Sequence, residues 1–265
     1  MDLKQKAKKI LGTVSVAAVA LAALALGFGP MMNKVIEITM GRDLPQLEGT
    51  PEIGKWYAVD IATAVSSDGS KWQGYFRKGS ENKVVLYFYG GGFSVNGDTA
   101  ARSMDVEGGF YNPRLNTGLN VMTTAIRKWG IGNSAQDNLF KDWTFIGVPY
   151  CNGDFHAGAG TKEYTALDGT VKTMYYEGYT NYRKLVTTVL NYMEDTPEQL
   201  LITGSSAGGF GAAILADDAI ELFHEPQDVT VHVDSSLLIN EHWHDVMVEE
   251  WNSPKALSDV VTSDN

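Results

Sequence analysis

The segment that most constrains the fold is residues 199–211, with the sequence QLLITGSSAGGFG. Its apolar run, Leu200, Leu201 and Ile202, is short and predicts a buried β-strand. After the glycine-rich stretch, apolar side chains recur three and four residues apart, at Ala213, Ala216, Ile220 and Phe223. That spacing is typical of one face of an α-helix. The sequence therefore predicts a strand, a tight turn and a helix in direct succession.

Ser206 is the central residue of a G-x-S-x-G pattern at this turn. Small residues two positions away on each side allow a strained turn in which strand and helix approach closely. This arrangement is typical of the nucleophile elbow of a serine hydrolase, in which the next amide, here Ala207, points at a developing oxyanion. The alternative is a glycine-rich turn without chemistry. A phosphate-binding loop is disfavoured because neither the P-loop nor the G-x-G-x-x-G pattern is present.

A second glycine segment follows the apolar stretch KVVLYFY at residues 83–89, which predicts a buried parallel strand. The strand runs into Gly90-Gly91-Gly92-Phe93. Glycines directly after a buried strand let the backbone turn its amides inward, and in α/β-hydrolases such a loop supplies the other half of the oxyanion hole. An ordinary flexible loop is the alternative interpretation.

The remaining elements predict an α/β fold that resembles the α/β-hydrolases. We expect a mostly parallel sheet with helices on both faces and an antiparallel hairpin near the start. The predicted strands outside the turn region are residues 56–61, 71–77, 83–89, 143–148 and 229–233, and the clearest helix is 178–193. Residues 97–142 are interrupted by glycines and a proline, so we expect an insertion with short helices there.

Composition excludes several classes of protein. The chain has 265 residues, 44% of them hydrophobic, which is enough to fill the core of one large domain or two small ones. The net charge of −11 argues against a nucleic-acid partner, which requires a basic surface. Cys151 is the only cysteine, so no intrachain disulfide forms, and we expect it to be a small buried residue. We expect neither a metal nor a cofactor.

The N-terminal residues 1–32 are typical of a targeting segment. Lysines at positions 4, 6, 8 and 9 precede an apolar stretch at residues 10–28. This predicts either a cleaved secretory signal or a membrane anchor, with the following domain exported in both cases. Contact with a membrane is expected only through this segment, if it is uncleaved. We interpret residues 33–52 as a linker and residues 53–265 as the folded domain.

Polar segments follow two of the predicted strands. The first, after residues 143–148, contains Tyr150, Asp154 and His156, and the second begins at Asp234. Since the carboxyl ends of parallel strands meet at one edge of the sheet, we expect these segments near the site. Together with Gly91, the first three residues are candidates for a substrate cleft. For His156 the alternative is a loop histidine with a purely structural hydrogen bond.

Four segments resemble the pectin acetylesterase/Notum family of serine carboxylesterases. They are DGS…KGS at 68–80, KVVLYFYGGGF at 83–93, VPYCNGDFHAG at 148–158 and ITGSSAGGFGA at 202–212, with a weaker match, VDSS, at 233–236. The resemblance implies an enzyme that removes acyl groups from oxygen, typically acetyl groups on a cell-wall polysaccharide such as pectin. It implies that Ser206 is the nucleophile and that the amides of Gly92, Phe93 and Ala207 form the oxyanion hole.

This chain also departs from the family's pattern. Phe93 and Ser94 stand where the family has a tryptophan and a cysteine, and Tyr175 and Tyr176 stand where histidines are common. The family's catalytic acid and histidine lie well beyond the nucleophile, whereas about 60 residues follow Ser206 here. The resemblance thus implies a C-terminally truncated domain, or a triad rebuilt from nearer residues.

Asp234 and His244 are the candidates for a rebuilt triad with Ser206, in the chain order serine, acid, histidine. His242 is an alternative base, and Asp234 is alternatively a support for the elbow. Two other functions stay open. One is a catalytically incomplete homologue that binds carbohydrate, and the other is a membrane-anchored deacylase of lipids or proteins.

Overall fold

The computed structural model of the protein describes residues 44–115, 117–193, 196–237 and 240–261, and for residues 117–121 only the backbone is described. The predicted targeting segment and most of the predicted linker lie outside these residues. Within the described ranges, no helix is long and apolar enough to cross a membrane.

Six strands form the central sheet and two more form a separate hairpin. The order in the sheet is β1-β2-β4-β3-β7-β8. The sheet strands are β1 (Trp56–Val65), β2 (Lys71–Arg77), β3 (Lys83–Phe88), β4 (Thr144–Val148), β7 (Gln199–Ser205) and β8 (Asp228–Asp234). The hairpin consists of β5 (Gly160–Thr165) and β6 (Val171–Tyr176).

The strand directions confirm the expected, mostly parallel sheet with an antiparallel hairpin near the start. β4, β3, β7 and β8 are parallel neighbours, whereas β1 pairs with β2, and β2 with β4, in antiparallel register. All residues of β4, and all of β3 after its first lysine, are buried. A strand covered on both faces reads as a continuous apolar run, which is why these two strands lack an alternating pattern. The carboxyl ends of the parallel strands therefore meet at one edge.

Seven helices are present in the described ranges, with one π-helical turn at Val246–Glu250. They are α1 (Gly97–Ala100), α2 (Thr117–Lys128), α3 (Gly178–Leu190), α4 (Ala207–Ile214), α5 (Ala216–Leu222), α6 (Trp243–Asp245) and α7 (Lys255–Ser258). The insertion predicted at residues 97–142 contains α1 and α2 with turns around them, as expected.

Helices cover both faces of the sheet, which confirms that expectation. On β2, Gly74 lies against Leu185 of α3, while the ring of the next residue, Tyr75, lies 5.8 Å from the Arg127 guanidinium of α2. Successive residues of a strand point to opposite faces, so α3 and α2 lie on opposite sides. The apolar stripe of α3 is buried, with Tyr182, Leu185, Val186 and Val189 fully inaccessible.

Part of the predicted linker, residues 44–47, contacts the first strand of the sheet. The amide of Ala58 donates to the carbonyl oxygen of Pro45 at 2.9 Å, and the amide of Leu47 donates to that of Ala58 at 2.8 Å. Leu44 and Leu47 pack against the core. Residues 44–47 thus run along β1, because two leucines give the segment an apolar side.

A single methyl group at Gly74 tests the close packing of α3 on β2. A Cβ there would overlap the Leu185 side chain, so we expect Gly74→Ala to lower the free energy of unfolding by about 1–3 kcal/mol. A Cβ at Gly97 would find its nearest neighbour at 3.8 Å, which is ordinary contact. Gly97→Ala is therefore the control, expected to stay near the wild type in urea denaturation. Equal stability of the two variants would contradict the packing described.

Candidate active site

Ser206 occupies a strained turn between β7 and α4, and its backbone has φ 55° and ψ −126°. A positive φ is unfavourable for a residue with a Cβ and persists only where the surrounding structure enforces it. The enforcing contact is the amide of Ser206, which donates to the carbonyl oxygen of Asp234 at 2.9 Å. The residue is exposed, so its hydroxyl is accessible at the carboxyl edge of the sheet. The predicted strand, turn and helix are confirmed.

Glycines around the turn let three backbone segments touch. A Cβ at Gly208 would overlap the carbonyl oxygen of Phe88 at the end of β3, and a Cβ at Gly204 would overlap the carbonyl oxygen of Gly208. Helix α4 therefore begins directly against the ends of β3 and β7, with no side chain between them. Any larger residue at either position would push the helix, and with it Ser206, away from the sheet.

The glycine loop after β3 lies beside Ser206. A Cβ at Gly90 would lie 2.9 Å from the Ser206 Cβ and 3.4 Å from the Ala207 nitrogen. Gly92 has φ 85° and pairs with Tyr111, so the loop is held in place rather than free. The resemblance assigned this loop to the oxyanion hole, and the structure places it next to the elbow.

One of the three expected oxyanion donors is already engaged. The amide of Phe93 donates to the carbonyl oxygen of Phe110 at 3.0 Å, because residues 91–93 form a short antiparallel bridge with residues 110–112. The assignment of Phe93 therefore needs correction. The amides of Gly92 and Ala207 have no acceptor among the described residues, and Ala207 is the first residue of α4, where N–H groups lack helical partners.

Three of the expected cleft residues lie inside the core instead. Asp154 is fully buried and accepts hydrogen bonds from the amides of Gly178, at 2.7 Å, and His156, at 3.1 Å. His156 is 1% exposed, and its Nε2 donates to the carbonyl oxygen of Tyr89 at 2.9 Å. The Tyr150 hydroxyl, also buried, accepts from the amide of Phe155.

These contacts correct the cleft assignment of Tyr150, Asp154 and His156. Each side chain satisfies backbone groups that the turns leave unpaired, and buried polar groups require such partners. Asp154 joins the start of α3 to the 154–156 turn, and His156 joins that turn to the end of β3. The alternative interpretation of His156 as a structural loop histidine is the one that its contacts favour. Gly91, the fourth cleft candidate, packs against Asn112 and Tyr150.

Burial shifts the protonation of this cluster. It raises the pKa of Asp154 to about 7, against the opposing effect of the two N–H donors. It lowers the pKa of His156 to about 4, so the ring is neutral at pH 7 and Nε2 carries the proton that it donates. The Cys151 thiol is buried as expected, donates to Ser66 Oγ, and burial raises its pKa to about 12. A thiolate nucleophile is thereby disfavoured.

The candidates for acid and base do not contact Ser206 through their side chains. The Asp234 carboxylate is exposed and accepts from Ser235 Oγ at 2.9 Å. His244 lies 3.7 Å from Asp245, and His242 lies 3.7 Å from Glu241 and 3.8 Å from Asp245. In the described part of the chain, neither histidine hydrogen-bonds Ser206 or Asp234. The role of Asp234 that the geometry does show is the support of the elbow, through its backbone carbonyl.

Ser236 and an aromatic pocket beside the elbow were not predicted from the sequence. Ser236 Oγ donates to the carbonyl oxygen of Ser206 at 2.5 Å. It also lines an apolar pocket of about 310 Å³, whose walls include Phe155, Phe210, Trp243, Met247 and Trp251. Trp243, Met247 and Trp251 of that wall are spaced four residues apart. This is a helical spacing, so it was visible in the sequence.

Two of the residues at which this chain departs from the family's pattern, Ser94 and Tyr176, contact each other. Ser94 Oγ and the Tyr176 hydroxyl are 2.9 Å apart, and both side chains are buried. The position next to the glycine loop is thus tied to the end of β6 by a hydrogen bond between two neutral groups.

A mostly parallel sheet whose strand β7 leads into an exposed, strained serine, with a glycine loop alongside, defines an α/β-hydrolase fold with the geometry of a nucleophile elbow. A family model described as Pectinacetylesterase matches residues 53–262. The chain therefore belongs to the pectinacetylesterase family, a family of carboxylic ester hydrolases. A search of curated proteins found no match.

Among solved structures, the chain is similar to the Wnt deacylase Notum from Drosophila. The two share 16% sequence identity with a TM-score of 0.46, and the alignment covers 74% of this chain. The chain spans 59% of the length of that structure.

The buried Asp154 predicts an unusual dependence of stability on pH. Folded Asp154 holds its proton up to about pH 7, whereas the unfolded carboxyl loses it near 3.8, so folding is disfavoured progressively as pH rises between these values. We expect the free energy of unfolding to fall by up to about 1.4 kcal/mol per pH unit in this window, and by less in Asp154→Asn. Urea denaturation at several pH values measures both slopes.

The control for this experiment is Asp168→Asn. Asp168 is exposed, and hydrogen bonds from Thr170 lower its pKa below the ordinary value. Its contribution to the pH dependence of stability therefore lies below pH 4, so the slope between pH 4 and 7 should stay that of the wild type. An Asp154→Asn protein with an unchanged slope would show that the Asp154 carboxyl is ionised in the folded state.

Proposed function

We propose that this protein is an exported serine carboxylesterase that removes acetyl groups from a cell-wall polysaccharide such as pectin. The observation that carries the proposal is the exposed Ser206 hydroxyl on a strained turn, directly before the unpaired amide of Ala207. The glycine loop that contains the unpaired Gly92 amide approaches Ser206 through Gly90. Membership of the pectinacetylesterase family supports an ester substrate. Export rests on the lysine-rich and apolar N-terminal residues, and the net charge of −11 suits an extracellular protein that binds no nucleic acid.

The proposed reaction has two steps through an acyl-enzyme. Ser206 Oγ loses its proton to a base and attacks the acetyl carbon, and the carbonyl oxygen takes up negative charge beside the Ala207 and Gly92 amides. The C–O bond to the sugar then breaks, and the sugar hydroxyl leaves with the proton. In the second step water adds to the acyl carbon, and acetate is released as Ser206 regains its proton.

The base in this proposal is His244, oriented by Asp234. Two observations support this assignment. Both residues follow Ser206 in the order serine, acid, histidine, and the Asp234 carbonyl oxygen accepts a hydrogen bond from the elbow backbone. His244 must exchange its present neighbour, Asp245, for Asp234 in order to act. If it does not, the second candidate function, a carbohydrate-binding homologue without turnover, applies.

The apolar pocket favours a third candidate, a deacylase for longer acyl chains. Its volume of about 310 Å³ exceeds what an acetyl group fills, and Ser236 connects it to the Ser206 carbonyl. Faster hydrolysis of p-nitrophenyl octanoate than of the acetate would favour this candidate, and the reverse order would favour the acetylesterase.

Hydrolysis of p-nitrophenyl acetate by the purified chain tests the proposed activity. We expect Ser206→Ala to lower kcat/KM by about a thousandfold or more, because the nucleophile is lost. The adjacent serine is the matched control: Ser205 Oγ lies 3.3 Å from the Tyr87 hydroxyl, away from the proposed chemistry, so Ser205→Ala should retain most activity. Equal background rates in the wild type and Ser206→Ala, both folded by circular dichroism, would overturn the proposed esterase.

A further inference from the structure

A second pocket, of about 790 Å³, lies at the other end of the sheet and takes no part in the chemistry proposed above. Its lining residues are Leu44, Gly54, Trp56, Arg127, Lys128, Trp129, Asn133, Ser134 and Ala135. Two of them are cations and two are tryptophans, and no aspartate or glutamate lines it. We call it the Trp56–Trp129 pocket.

Strand register places this pocket far from Ser206. Trp56 pairs with Arg77, Arg77 with Phe145, Phe145 with Val85, and Val85 with Leu201. Leu201 and Ser206 are five residues apart along β7 and the turn that follows it. At about 3.3 Å per residue, the pocket floor lies about 16 Å from the elbow along the strand direction, towards the amino ends of the parallel strands. A ligand here would not occupy the reacting position.

Within the ranges that the structure describes, the cations of the pocket have no anionic partner. Arg127 donates to the carbonyl oxygen of Thr123, at 3.3 Å, and to Thr124 Oγ1, at 2.9 Å. Among the described residues, no carboxylate forms an ion pair with Arg127 or Lys128. Burial lowers the pKa of the Arg127 guanidinium, which reports the cost of holding an unpaired charge away from water. An anion bound in the pocket would offset that cost.

The aromatic walls add a second kind of recognition. The Trp56 ring lies 5.9 Å from the Arg127 guanidinium, and Trp129 is 55% exposed, an unusual area for an unpartnered indole. A guanidinium pairs with a carboxylate through two parallel hydrogen bonds, and an indole face packs against the apolar C–H face of a sugar ring. An acidic sugar carries both groups in one ring.

We propose that the Trp56–Trp129 pocket binds a uronate residue of an acidic polysaccharide, with Arg127 and Lys128 on its carboxylate and Trp129 on its ring. The pocket would then hold an acidic polymer at a point remote from Ser206. The inference does not depend on the proposed ester hydrolysis, since it rests on a different pocket and concerns binding alone.

Titration calorimetry with α-1,4-linked trigalacturonate at low ionic strength tests the inference. The full chain carrying Ser206→Ala is used, so that turnover plays no part. We expect saturable binding that weakens about tenfold for the methyl-esterified trimer, which keeps the rings and loses the charge. We expect a similar loss in Lys128→Glu and in Trp129→Ala, both of which alter exposed side chains and should fold normally.

Lys162→Glu is the matched control. Lys162 is exposed on β5 and outside the pocket, so this variant changes the net charge equally and should bind as the parent does. Three results would overturn the inference: no binding of the trimer, equal affinity for the methyl ester, or unchanged affinity in both pocket variants. Binding of phosphatidylserine vesicles that depends on Lys128 and Trp129, without binding of the trimer, would also overturn it and indicate a membrane surface instead.

Discussion

The close backbone contact between the end of β3, the end of β7 and the start of α4 determines the rest of the site. Gly204 and Gly208 make it possible, since a Cβ at either position would overlap a carbonyl oxygen. The contact forces the chain through a positive φ at Ser206, and the hydrogen bond from the Ser206 amide to Asp234 fixes the turn against β8. The same contact brings Gly90 against Ser206, so Ser206 and the glycine loop are positioned together.

A buried polar cluster supports this contact from inside. His156 donates to the carbonyl oxygen of Tyr89, directly before the glycine loop, and its ring packs against Gly211 of α4. Asp154 connects the same turn to the amide that begins α3. One loop thus joins β3, α3 and α4 without any exposed side chain. The cost of burying an unpaired polar group explains why these polar residues serve as supports, because each one satisfies a backbone group inside the core.

Much of the fold could be predicted because its signals are local. The strand, turn and helix around Ser206, the buried runs of β3 and β4, and the stripe of α3 each follow from apolar spacing and glycine placement within a short window. The roles of His156 and Phe93 could not be predicted in this way. The first depends on a carbonyl 67 residues away, and the second on a bridge to residues 110–112 within an insertion that has no clear periodicity. The side-chain partners of His242 and His244 depend likewise on how the last turns pack.

Covalent labelling with a fluorophosphonate tests the central claim, that the strained turn makes Ser206 a nucleophile, most directly. The reagent phosphonylates an activated serine, and peptide mapping by mass spectrometry locates the adduct. The account predicts one adduct per chain, on Ser206, with Ser205 unmodified although it is the next residue. An adduct on Ser205 or on another serine, or a folded protein that stays unlabelled under conditions that label a known serine esterase, would contradict it.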